Sequence, residues 1–146
     1  MPEYIAKCEC YIRSLKQDDG TNVLGEATSK VSGSANRKHN VKLSAAACND
    51  IILLPGEVFS YNTATGSRTA AAGYLDAPVY VQGKTEEEVG GGICQTSYTI
   101  YSAVLHTTLE VVERHNHMYS VCYVYDGMEA TVYFGSLDFR FQNNTE

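Results

Sequence analysis

The run Gly90-Gly91-Gly92-Ile93-Cys94-Gln95-Thr96-Ser97 puts a thiol directly after three glycines, at the start of a stretch with helical patterning. A helix N-terminus presents unpaired backbone N–H groups and the positive end of the dipole. Both favour thiolate over thiol. Thiolate is the nucleophilic form, and glycines let a backbone turn sharply and let a substrate come close. The run therefore reads as an elbow carrying a nucleophilic cysteine. The competing reading is a buried cysteine in a Gly-rich turn.

A cysteine nucleophile needs a base, and the C-terminal third of the chain offers His115, His117 and Asp138. Asp126-Gly127 between two β-branched, aromatic stretches (109–125 and 129–141) signals a two-residue hairpin turn. Counting outward from that turn sets His117 opposite Ser136 and His115 opposite Asp138. This is the arrangement Cys-His-acid catalysis requires: imidazole to take the thiol proton and protonate the leaving group, carboxylate to orient the imidazole. A bulge at Gly135 or a break at Asn116 would shift this register.

Gly92, Gln95, Ser97 and Tyr101 on the cysteine side, with Arg68, complete the candidate site as oxyanion- or substrate-binding residues. Backbone N–H groups at Cys94 and Gln95, with the Gln95 amide, are the candidate oxyanion donors. Arg68 reads either as a fork for a substrate carboxylate or as a tie within its own small-residue loop. Arg114 reads as a structural partner for Glu113 or Glu129. His115 and His117 also read as polar residues at a strand end, and Asp138 as a surface residue.

Those residues need elements to hold them. The pattern predicts helices over about 38–50 and 95–107. It predicts strands over 4–13, 23–31, 58–61, 77–82 and along both arms of the late hairpin. Residues 54–57 read as a turn, and Glu86-Glu87-Glu88 as a solvated loop. Cys94, Tyr98, Tyr101 and Leu105 form one stripe, which turns the thiol toward whatever packs over the helix. The fold class is α+β: a single domain, an antiparallel sheet packed against the Cys-bearing helix. Residues 1–23 form an N-terminal strand extension and 24–146 the catalytic domain.

Composition narrows the function. The chain has 146 residues, enough for one domain with a core, and is 44% hydrophobic. Net charge is −6 with no basic cluster beyond Arg37-Lys38, which argues against nucleic acid as a partner. No apolar run approaches the roughly 20 residues of a membrane helix, so no membrane contact is expected of this chain itself. Met1-Pro2-Glu3-Tyr4 carries no signal-peptide pattern, which leaves a cytoplasmic protein or a domain of a longer exported chain. The five cysteines follow no disulfide framework and no metal-ligand spacing. No cofactor is expected.

An ordered set of motifs resembles the VanW domain family. They are Leu54-Pro-Gly-Glu-Val-Phe-Ser-Tyr-Asn62, Gly66-Ser-Arg-Thr69, Gly73-Tyr74, Ala77-Pro78-Val79, Gly90 to Ser97, Glu113-Arg-His-Asn-His117 and Tyr133 to Phe141. The resemblance covers roughly residues 24–145. It implies a bacterial cell-envelope protein, extracytoplasmic as part of an exported parent, whose partner is the peptidoglycan stem peptide. It implies L,D-transpeptidation: Cys94 attacks a tetrapeptide stem, releases D-Ala, and a second stem's diaminopimelate amine resolves the thioester as a 3-3 cross-link. The alternatives are a non-catalytic wall-peptide-binding module and a thiol peptidase. The resemblance supports Cys94, His115, His117, Arg68, Gln95 and Asp138 at matching positions. The chain departs from the family pattern at Tyr98, where a smaller residue is common, and at Asn116, where proline is common, and no membrane anchor of the family's kind is expected within these residues. By analogy, the order Cys, His, Asp is that of transglutaminase-like and papain-like thiol enzymes.

Overall fold

The computed structural model describes residues 23–118 and 127–145. The expected strand at 4–13, Cys8, Cys10, Cys122 and Asp126 lie outside those residues.

The first element is helix α1 (Ala35–Ala47). Ser34 caps it, its hydroxyl accepting from the Arg37 N–H at 3.2 Å, as a serine in extended conformation does. The sequence suggests an amphipathic helix with an apolar inner face. The inner face is instead largely polar, with Asn40 and Ser44 buried beside Val41. Residues one turn apart share a face, so Arg37, Asn40 and Ser44 point the same way. They meet the glycine run and the start of the cysteine helix.

Strand β1 (Val58–Ser60) leads directly into the short helix α2 (Tyr61–Thr65). A 3-10 turn (Ala70–Ala72) precedes β2 (Asp76–Val81), which pairs antiparallel with β3 (Lys84–Val89). Gln82 (φ 48°) and Gly83 (φ 78°) both take positive φ in the two-residue connection, the condition of a type I′ turn. Glu86-Glu87-Glu88 therefore belongs to β3 rather than to a loop, although all of β3 is exposed as a solvated segment would be.

The cysteine helix is α3 (Cys94–Val104). It is followed by β4 (Glu110–Glu113) and, after the late loop, β5 (Arg140–Gln142). These join β1 in a three-stranded antiparallel sheet of order β1-β5-β4. The core lies between this sheet and α3. Phe59 stacks on Phe141 with centroids 4.9 Å apart, and Tyr101 of α3 meets Phe139 edge-on at 5.6 Å. Buried Asn143 closes the sheet by donating to the Leu53 carbonyl at 2.9 Å.

Three expectations fail on backbone grounds. Residues 23–31 form no strand; this segment is held by side chains of α3, through Ser29 to Thr99 (2.7 Å) and Gln95 to the Lys30 carbonyl (2.9 Å). The long hairpin arms are regular only at 110–113 and 140–142. The register also changes. Glu113 pairs with Arg140, as outward counting predicts, but Thr131 N–H bonds the His115 carbonyl at 2.9 Å. The intervening residues form a tight turn bridged at Tyr133 and Leu137, with Gly135 at φ 87°. That turn absorbs the residues that would have set Asp138 opposite His115.

The α+β class with antiparallel sheets is therefore borne out, and the three-stranded sheet is the one that meets the cysteine helix. The Cys-His-Asp arrangement on one sheet face is not found.

Candidate functional site

Cys94 is the first residue of α3 and is partly exposed. Each glycine before it sits against something specific. A Cβ on Gly91 would stand 2.3 Å from the Ala77 carbonyl oxygen of β2, a backbone contact that cannot yield. Gly92 has φ 99°, and a Cβ there would meet the Arg37 side chain. The run thus folds into an elbow because β2 and α1 press on it.

The thiol donates to the Val132 carbonyl at 3.7 Å. Burial pushes its pKa up, and the guanidinium charges of Arg68 and Arg37 pull the other way. The free protein therefore carries a protonated sulfur at neutral pH, within the field of two cations.

The residues around Cys94 are committed to structure. Gln95 is 1% exposed; its Oε1 accepts from Arg37 at 2.7 Å, and its Nε2 donates to Ser29 (3.2 Å) and the Lys30 carbonyl (2.9 Å). Its backbone N–H bonds the Gly92 carbonyl at 3.1 Å. Neither the amide nor the N–H of Gln95 is therefore placed to hold an oxyanion, contrary to expectation. Ser97 is also a tie, donating to the Ala130 carbonyl at 2.5 Å. Tyr101 packs into the core under Arg114, whose guanidinium lies 5.3 Å from the ring centroid.

Arg68 takes the loop-tie role: it donates to Asn62 Oδ1 at 2.7 Å and to Thr65 at 3.1 Å. Its guanidinium also lies 5.8 Å from the Tyr61 ring centroid and 5.6 Å from that of Phe134. The Tyr61 hydroxyl donates to the Ile93 carbonyl at 3.1 Å, immediately before the thiol. Arg114 binds the Glu129 carbonyl at 2.9 Å rather than a carboxylate.

His115 lies across the 130–132 segment from the thiol. The carbonyls of Ala130 and Val132 point to α3, and the N–H of Thr131 between them points to His115. Arg114 turns toward Tyr101 of α3, so its neighbours Glu113 and His115 turn away from it. His115 Nε2 bonds Glu113 Oε1 at 2.9 Å. Glu113, not Asp138, is thus the carboxylate that orients this imidazole. That bond, aided by the Asp138 N–H at 3.1 Å, holds the Glu113 carboxyl below the ordinary carboxylate range despite partial burial. Burial pushes His117 down, toward neutral imidazole, and the Glu129 carboxylate opposes this.

Asp138 is a structural hub. Its carboxylate accepts from Ser60 Oγ (2.5 Å), Asn62 N–H (2.9 Å) and Phe139 N–H (2.8 Å), tying the β1–α2 corner to β5. Glu113, Asp138, Ser60, Asn62, Phe134 and Ser136 line an open depression of about 530 Å³. Cys94 is not among the described residues that line it. Among the described residues no His, Cys, Asp and Glu cluster is arranged to hold a metal ion.

Sequence reasoning missed the polar face of α1. Arg37, Asn40 and Ser44 were legible as polar residues at helical spacing, the signal of a face that meets polar backbone.

A partly exposed thiol at the head of a helix, on an α+β domain, with two guanidiniums in range, is the frame of a thiol-bearing site. The chain belongs to the VanW family: the family described as "VanW like protein" matches residues 36–146. It is 47% identical over 112 residues to the uncharacterized protein YoaR of Bacillus subtilis (strain 168), covering 77% of this chain and 37% of that protein. It is 29% identical over 116 residues to the vancomycin B-type resistance protein VanW of Enterococcus faecalis (strain ATCC 700802 / V583), covering 76% of this chain and 42% of that one. The chain thus spans about two-fifths of the length of these relatives. No solved structure matches it. No helix among the described residues is long and apolar enough to cross a membrane.

Proposed function

We propose that this domain acts on the peptide stems of the bacterial cell wall as a thiol-dependent acyltransferase, with Cys94 as nucleophile and an L,D-transpeptidation as the reaction. The observation that carries this reading is the position of Cys94: first residue of α3, partly exposed, with Arg68 and Arg37 favouring its anion. Kinship with a vancomycin resistance protein supports the cell envelope as the place of action. In the reaction, sulfur attacks the carbonyl of the L,D peptide bond and D-Ala leaves as an amine, taking up a proton. The amine of a second stem then attacks the thioester, loses a proton and frees the thiol. Burial keeps the resting sulfur protonated, so its ionisation belongs to the substrate-bound state. His115 or His117 then supplies the base after a movement of the 113–118 segment.

The test is incubation with disaccharide-tetrapeptide and mass analysis of products. Wild type yields D-Ala and a 3-3 dimer; Cys94→Ala yields neither. Equal products from both remove the reading. Stem cleavage without dimer identifies water as the acceptor, and thus a thiol peptidase.

A second reading, a non-catalytic module that binds wall peptides, is favoured by the open depression. Glu113 and Asp138 there lie beside Phe134 and its Arg68 neighbour, offering both charge signs and an aromatic face to a zwitterionic peptide. It predicts calorimetric binding unchanged by Cys94→Ala.

A further inference from the structure

Arg37 touches the chain on both sides of Cys94. Its guanidinium donates to the side chain of Gln95, the residue after the thiol, at 2.7 Å, and to the Ser32 carbonyl at 2.9 Å. Its stem lies against Gly92, two residues before the thiol; a Cβ there would be 2.6 Å from Arg37 Cγ. One turn along the same face, Asn40 Nδ2 donates to the Gly91 carbonyl at 3.0 Å. Helix α1 therefore holds the cysteine elbow through its polar side.

We infer that Arg37 is a positioning residue for Cys94: its planar fork holds the Gln95 side chain and its stem packs on Gly92, so that the elbow is fixed on both sides of the sulfur with a guanidinium beside it. The groups facing Cys94 are Arg37 from α1, Arg68 from the loop after α2, the Tyr61 phenol from α2 and the Val132 carbonyl. Arg68 is tied back to Asn62 and Thr65 of α2, whereas Arg37 grips the start of the cysteine helix itself. A lysine in its place keeps the charge but loses the fork that spans Gln95 and Ser32. The inference deepens the reading of Cys94 as nucleophile, yet it concerns thiol acidity and is read without turnover.

The experiment measures the iodoacetamide rate at Cys94 by peptide mass spectrometry, from about pH 6 to about pH 10. Arg37→Met is expected to slow alkylation at pH 8 about tenfold and to move the midpoint up by about one unit. Arg37→Lys falls between Met and wild type. A folded Arg37→Met protein with the wild-type profile overturns the inference, as does a wild-type Cys94 that reacts at no pH. If Arg37→Met loses its thermal transition, Arg37→Lys decides: an upward midpoint supports the role, and a wild-type midpoint overturns it. A profile that moves with Arg37 in a protein that forms no cross-link keeps this role and removes the transferase.

Discussion

The head of α3 and the 113–117 segment hold the residues that looked like one catalytic set, and they are built on opposite principles. At the head of α3 nearly every polar group is buried and paired: Gln95 with Arg37, Ser29 and Lys30, Ser97 with Ala130, and Thr96 with Ser44 at 2.8 Å. Around Glu113 and His115 the groups are about one-third exposed, and the imidazole meets the carboxylate at 2.9 Å with the Asp138 N–H beside it at 3.1 Å. Buried, paired groups have one arrangement and are costly to disturb. Half-exposed pairs are weakly held and free to rearrange. Under the proposed function, this contrast would set a rigid mount for the thiol beside a segment free to move.

The largest expected effect tests whether the two regions cooperate at all. Cys94→Ala should cut transfer by at least about a thousandfold while leaving the thermal midpoint nearly unchanged. A comparable loss of midpoint would make the cysteine a packing residue. Next, Gly91→Ala should destabilise by about 3 kcal/mol, because its Cβ would collide with the Ala77 carbonyl. Urea unfolding measures this, and a loss near zero would mean that β2 does not press on the elbow.

Gln95→Leu should cost about 2 kcal/mol, since Arg37, Ser29 and the Lys30 carbonyl would lose a buried partner. Asp138→Asn should cost about 1–2 kcal/mol through its three accepted bonds. It should lower the thermal midpoint while a base-orienting role would lower the rate first, so the two readouts separate a tie from a catalytic acid.

The smallest effect belongs to Glu113→Gln. The His115 bond depresses the Glu113 carboxyl. A depressed folded pKa contributes stability above the unfolded value near 4.3 and loses it as pH falls through the folded value. Wild type should therefore exceed the variant slightly at pH 7 and match it in acid. A difference that persists once the carboxyl is protonated in both states would mean the charge is not its source.

Much of this was readable from residue types. The helix at the cysteine, the turn at 54–57, the β2 strand and the outer register at Glu113 and Arg140 follow from periodicity and turn chemistry. The His115–Asp138 pairing did not follow, because Gly135 let a five-residue turn form where the counting assumed a ladder. The polar face of α1 was misjudged because apolar periodicity is a signal of burial only when the neighbour is apolar. Here the neighbour is a largely buried glycine run whose backbone carbonyls need partners.

Sequence alone determined the family, the α+β class and the cysteine at a helix start, because local spacing and turn residues carry that information within a few positions of the chain. Tertiary structure decided which groups that cysteine meets. Gln95 turned inward to Arg37, and Glu113 rather than Asp138 took the imidazole. Such partnerships join residues far apart in the chain, and their geometry is set by how the helices and sheet come together.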